Sequence, residues 1–126
     1  IKRHKERIDK GKPSVIFGLQ TFGEGVDLKN KYCTHVVIAK IPFDPPTTPV
    51  EKVTANWLKS LGADPFLTLV VPEASVKLIQ NVGRLLRTEA DQGKITILDR
   101  RLETTRYGGL ILNALPPFKV EKVRIS

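Results

Sequence analysis

The sequence predicts an α/β fold, with a mainly parallel sheet and helices on both of its faces. Three observations carry that expectation. Short β-branched runs alternate along the chain with longer amphipathic runs, the order that builds β-α-β units. The apolar runs are continuous rather than alternating, as strands covered on both faces require. One of the amphipathic runs opens with a complete capping box, which fixes a helix start independently of periodicity.

In chain order, residues 1–12, "IKRHKERIDKGK", are highly charged and read as the end of a helix or a frayed arm. "SVIFGL" (14–19) is a first apolar run of strand length. "QTFGEGVD" (20–27) follows, and its Gly23 and Gly25 permit a tight loop. "THVVIAKI" (34–41) predicts a second strand, and "PFDPPTTP" (42–49) a stiff loop. In "TPVEKVTANWLKSLG" (48–62) Thr48 is the N-cap, Pro49 the first helical residue and Glu51 the partner in the capping box. Val50, Val53, Trp57, Leu58 and Leu61 form its apolar stripe, and Gly62 ends it. "PEASVKLIQNVGRLLR" (72–87) is a second helix with Leu78, Val82, Leu85 and Leu86 on one side. "DQG" (91–93) turns into "KITILD" (94–99), a third strand, and "TTRYGGLILNAL" (104–115) reads as a last helix stopped by Pro116.

The length of 126 residues suits one domain over 1–126, with 1–12 as an appended arm. No apolar run approaches a membrane span. A single cysteine, Cys33, excludes an internal disulfide and a cysteine-rich metal site, and suits a reducing cytoplasm. The 21 Lys and Arg exceed the 13 Asp and Glu, a balance that favours polyanion partners. The chain holds no methionine and starts within a charged stretch, so it is expected to be a piece of a longer protein.

Candidate chemistry concentrates in few places. Gln80, Arg84 and Arg87 are spaced i, i+4 and i+7, which puts them on one helical stripe opposite the leucines. Two guanidinium forks on one face suit phosphate oxygens, although a charged helix face is more often merely solvated. Open α/β sheets gather ligands at the carboxyl ends of their strands, where the loop with Glu24 and Asp27, the start of the proline loop and Asp99 are expected. A self-contained enzyme is disfavoured. His4 and His35 adjoin no nucleophile signature, and "GKPS" (11–14) lacks the glycine and the hydroxyl residue of a phosphate loop.

Arginines for a γ-phosphate without a nucleotide cradle are what one half of a two-lobed motor would carry. "FGLQTFGEGVDL" (17–28) resembles motif V, and "QNVGRLLR" (80–87) resembles the Q-x-x-G-R-x-x-R motif VI, of the DinG/XPD group of superfamily-two ATP-dependent DNA helicases. "IAKIPFDPPTTPV", "LGADPF", "VPEASVKLIQ" and "ILDRRLETTRYGGLILNALPPF" follow the same pattern, so the resemblance covers residues 14–118. It is strongest to the bacterial DinG-type branch, with its relative YoaA.

That resemblance implies a RecA-like three-layer fold and the second, C-terminal lobe of the motor. It assigns Arg84 and Arg87 as arginine fingers with Gln80 beside them. It places Glu24, Gly25, Asp27 and Gly83 at the nucleotide and Thr21, Phe22 and Gly23 on the DNA backbone. It implies 5′–3′ movement on single-stranded DNA in a bacterial, nucleoid-associated cytoplasmic protein with a role in DNA repair. ATP and Mg2+ would be bound mainly by an N-terminal lobe of the same polypeptide. Many members hold a 4Fe–4S cluster in that other lobe, and Cys33 alone provides no such site here. The parent is then expected to be the enzyme and this chain alone inactive. Two other readings remain open. One is a non-hydrolysing basic module that binds nucleic acid or a protein, and the other is the motor part of a helicase–nuclease fusion.

Overall fold

A computed structural model describes residues 1–19, 27–28, 30–83 and 92–124. The charged arm is a helix, α1 (Lys2–Asp9). It closes on Gly11, whose φ of 69° lets Gly11 N–H donate to Ile8 O and Lys12 N–H to Arg7 O. This is the paired-bond ending that glycine allows most cheaply. After a short 3-10 turn (Asn30–Tyr32) come strand β1 (His35–Ile38) and helix α2 (Pro49–Ser60). A five-residue π-type turn (Phe66–Val70) runs directly into α3 (Val71–Val82). Strand β2 (Lys94–Ile97) follows, then α4 (Arg101–Thr104) and α5 (Arg106–Ala114).

β1 and β2 pair in parallel, from His35 opposite Lys94 to Ile38 opposite Ile97. Ile38, Ile41, Val71, Ala74, Leu78 and Ile111 form the buried cluster, with Val36, Ile95 and Ile97 packed against it. One face of the sheet therefore rests on α3 and α5. The other face carries His35, Val37 and Lys94, all exposed, so the two-faced cover predicted from the continuous runs is not found among the described residues.

The capping box of α2 is present in full. Thr48 Oγ1 accepts from Glu51 N–H at 3.2 Å, and the Glu51 carboxylate accepts from Thr48 N–H at 2.9 Å. Gly62, with φ of 77°, ends α2 as Gly11 ends α1. The stripe of α2 is a correction. Val50, Val53, Trp57 and Leu61 are exposed, and the helix leans on Ala55 and the half-buried Leu58. Periodicity identified an apolar face, but no described element packs against it. A second correction concerns 14–19, which is extended but unpaired, with Phe17 92% exposed. A strand needs a neighbour to bond to, and β1 and β2 bond only to each other among the described residues.

The widened turn before α3 has a local cause. Pro72 has no N–H to return to Thr68, and its ring crowds that carbonyl. The turn instead closes through Val71 N–H to Phe66 O. The last helix is divided differently from the expectation of one helix over 104–115. Thr105 is extended, donates to Arg101 O and accepts Gly108 N–H at 3.1 Å, so it ends α4 and caps α5. α5 stops at Ala114, just before Pro116.

Candidate functional site

The amphipathic division of α3 is as the sequence implies. Leu78 and Val82 are fully buried, whereas Gln80 is exposed. Gly83 follows as the C-cap, its N–H donating to Ile79 O at 2.8 Å. Its φ of −62° is ordinary helical backbone. Among the described residues a Cβ there would meet only Ile79 O at 3.3 Å and Gln80 O at 3.4 Å, both in its own turn. The fold itself therefore does not demand glycine at this position. Asp27 is exposed in the coil that leads to β1. The remaining candidates, Thr21, Phe22, Gly23, Glu24, Gly25, Arg84 and Arg87, lie outside the described residues, as do Leu85 and Leu86. Of the sequence-predicted residues, the structure brings Gln80 and Gly83 to one end of α3.

Of the groups expected at the carboxyl ends of the strands, the start of the proline loop and Asp99 are described and serve structure there, whereas the loop with Glu24 lies outside the described residues. Ile41 is buried, and Phe43 packs in a ring cluster with Phe66 and Tyr107, centroids 5.1–5.6 Å apart. Asp99, which follows β2, is spent on structure. Its carboxylate accepts Ile41 N–H at 2.9 Å, Arg101 N–H at 3.1 Å and the Arg101 guanidinium at 2.5–3.1 Å. The Arg101 guanidinium, followed by the two backbone donors, holds the Asp99 carboxyl well below the usual range, against the opposing effect of burial. Arg101 also lies 4.9 Å over the Phe43 ring. In chain order Asp27 precedes β1 and Gly83 precedes β2.

The approach to β1 is held from outside by α1. His4 bridges two segments, Nε2 donating to Tyr32 O at 2.8 Å and Nδ1 bonding Ser14 Oγ at 2.9 Å. Tyr32 OH donates to Asp9 Oδ1 at 2.9 Å, and Lys31 Nζ meets the same oxygen at 2.6 Å. Lys31 and Tyr32 together lower the Asp9 pKa. Lys5 and Lys31 each stand 5.3 Å from the Tyr32 ring centroid. His35 acts within the sheet, its Nε2 2.8 Å from Thr96 Oγ1, in line with its reading as a strand residue rather than a base.

Sequence reasoning missed three of these contacts. The Asp99–Arg101 pair is only two residues apart, and "LDRR" carried the signal. Lys77 binds both Glu73, at i−4, and Asp44 in the proline loop. The Glu73 partner was legible from helical spacing, but Asp44 was not. The third is the hold of His4 on Tyr32 O. Among the described residues, no group of three or more His, Cys, Asp or Glu side chains could hold a metal ion. No helix there is long and apolar enough to cross a membrane.

Comparison with known proteins places this geometry in a family. Over 119 residues the chain is 50% identical to the ATP-dependent DNA helicase DinG of Photobacterium profundum, covering 94% of this chain and 17% of that protein. It is 47% identical over 122 residues to DinG of Salmonella typhimurium, covering 97% and 17%. Against DinG of Escherichia coli it is 43% identical over 125 residues, covering 99% and 18%. The chain thus spans less than a fifth of the length of the curated relatives it matches. Residues 1–118 match the family model for the helicase C-terminal domain, and the chain belongs to that family.

Proposed function

We propose that this chain is the C-terminal motor lobe of a DinG-type ATP-dependent DNA helicase that moves 5′–3′ on single-stranded DNA. The observation that carries the reading is the family match over residues 1–118, within which Q-x-x-G-R-x-x-R begins at Gln80, in the last turn of an amphipathic helix. In this reading residues 1–126 are a single-domain fragment of a RecA-like, three-layer lobe, and the bare face of the sheet is covered by the rest of that lobe. Arg84 and Arg87 present guanidinium forks to the γ-phosphate of ATP, held with Mg2+ mainly by the N-terminal lobe of the same polypeptide. Gln80, four residues before Arg84 in the sequence, acts beside it. Gly83 keeps the approach free of a side chain, which fits the absence of any conformational demand for glycine there. Glu24, Gly25 and Asp27 couple that site to Thr21, Phe22 and Gly23 on the DNA backbone. The chain alone hydrolyses no ATP, because the sequence carries no phosphate loop.

The test is Arg84→Ala and Arg87→Ala in the full-length parent. An arginine finger contributes about 10³–10⁵ in turnover, or roughly 4–7 kcal/mol of transition-state stabilisation. Turnover and unwinding should fall by that order, ATP affinity far less, and the melting temperature should hold. Lysine at either position should rescue poorly, since a point charge cannot reproduce the fork. Near-normal ATPase in both alanine variants would remove the motor assignment from this helix.

A further inference from the structure

We infer that the outer face of α1 is a second nucleic-acid contact, a phosphate track for single-stranded DNA apart from the loop at Thr21–Gly23. At ~100° per residue, His4, Lys5 and Ile8 share one side of α1, and Lys2, Arg3, Glu6, Arg7 and Lys10 share the other. The inner side is spent. His4 is fixed at both ring nitrogens, Lys5 stands over Tyr32, and none of His4, Lys5 and Ile8 is fully exposed. Lys2, Arg3, Arg7, Lys10 and Lys12 are all exposed. The acid that would offset them on this arm, Asp9, is occupied by Lys31 and Tyr32, which leaves Glu6.

The backbone that carries these cations is ordered. Arg7 donates to Pro13 O at 2.9 and 3.2 Å, and at the glycine ending Lys10 N–H donates to Glu6 O and Lys12 N–H to Arg7 O. Eight helical residues span about 12 Å, the length of three to four phosphates at the ~3.4 Å spacing of a stacked strand. A membrane surface fits less well. An interfacial helix inserts an apolar face, and the side of α1 opposite its cations is already docked on the segment that enters β1.

This inference rests on the reading that the parent works on single-stranded DNA, and the test separates the two. Lys2, Arg3, Lys10 and Lys12 are changed together to Gln in the full-length parent, with Arg7 kept because it holds Pro13. A charge-matched control changes Lys52, Lys59, Lys119 and Lys122 to Gln, all exposed and outside α1. Affinity for a single-stranded oligonucleotide is measured without nucleotide between about 50 and 300 mM salt. At ~0.7 per phosphate contact, the slope of log affinity against log salt should shrink by about 2–3 in the α1 variant. That corresponds to roughly a hundred- to a thousandfold weaker binding at 0.1 M salt, while the control keeps the slope of the unmodified protein. Equal slopes in the two variants would overturn the track and leave the motor reading intact. Absence of DNA binding by the unmodified parent would overturn both. Loss of binding to phosphatidylserine vesicles by the α1 variant, with its DNA slope unchanged, would assign the face to a membrane and overturn the inference.

Discussion

Gly108→Ala and Gly109→Ala should move stability in opposite directions, although the residues adjoin on one helix. At Gly108 an added Cβ would lie 2.3 Å from Leu102 O, 2.5 Å from Arg101 O and 2.6 Å from Leu102 C. All three are backbone atoms of α4, so no rotamer change can relieve the contact. A carbonyl oxygen must retreat by about 1 Å to restore an ordinary separation. Overpacking of this kind costs ~1–3 kcal/mol, and rigid backbone on the receiving side argues for the upper end. The gain in helix propensity from glycine to alanine is ~1 kcal/mol. The clash wins, for a net loss of about 2 kcal/mol. At Gly109 a Cβ meets nothing within 4 Å, so the propensity gain stands alone at ~1 kcal/mol. At roughly 4 °C per kcal/mol for a chain of this size, Gly108→Ala should melt about 8 °C lower and Gly109→Ala about 4 °C higher. Urea titration of both variants gives the same ranking as a difference in midpoint. If Gly108→Ala melts with the unmodified chain, α4 is not pressed against α5 and the reasoning fails.

Asp99→Asn should remove about 2 kcal/mol near neutral pH, since hydrogen bonds to an ionised group are the stronger class. The folded-state pKa is depressed, so the stabilisation is complete above the unfolded value of ~3.9 and is lost as pH falls below it. The acid limb of stability below pH 4 should accordingly be steeper in the unmodified chain than in Asp99→Asn, and identical limbs would exclude Asp99 as the anchor. Gly83→Ala should fold with nearly unchanged melting temperature, because its Cβ touches only its own turn. In the parent the same variant should lose ATP turnover, and normal turnover would show that nothing approaches α3 at that point.

How much was legible in the sequence depended on whether each signal was local. The capping box of Thr48 and Glu51 and the stop at Gly62 are written within a few residues, and the structure reproduces them. Strands β1 and β2 are legible as runs of a parallel sheet, with ends trimmed to His35–Ile38 and Lys94–Ile97, but their direct pairing is not. The division at Thr105 was missed because a threonine in a helical pattern reads as a tolerated residue, and its role shows only in the bonds to Arg101 O and Gly108 N–H. The exposed Trp57 and Phe17 failed for another reason. An apolar residue announces that it seeks cover but carries no statement of what supplies it. At the site, the exposure of Gln80 followed from spacing alone. The structural fate of Asp99 did not, because it depends on Ile41, a residue distant in the chain.

The pairing of His35 with Lys94 joins residues 59 positions apart. Contacts of such separation form late, because the closure entropy of the intervening chain must be met before they stabilise anything. On a ribosome adding roughly 5–20 residues per second, about 3–12 s separate the synthesis of β1 from that of β2. During that interval α2 and α3, whose bonds are local, can form while Val36, Val37 and Ile38 still lack Lys94–Ile97 beside them. Nascent β1 is thus a short β-branched edge awaiting its partner. The charged α1, already synthesised and bonded at Tyr32 just upstream, holds a soluble helix beside it.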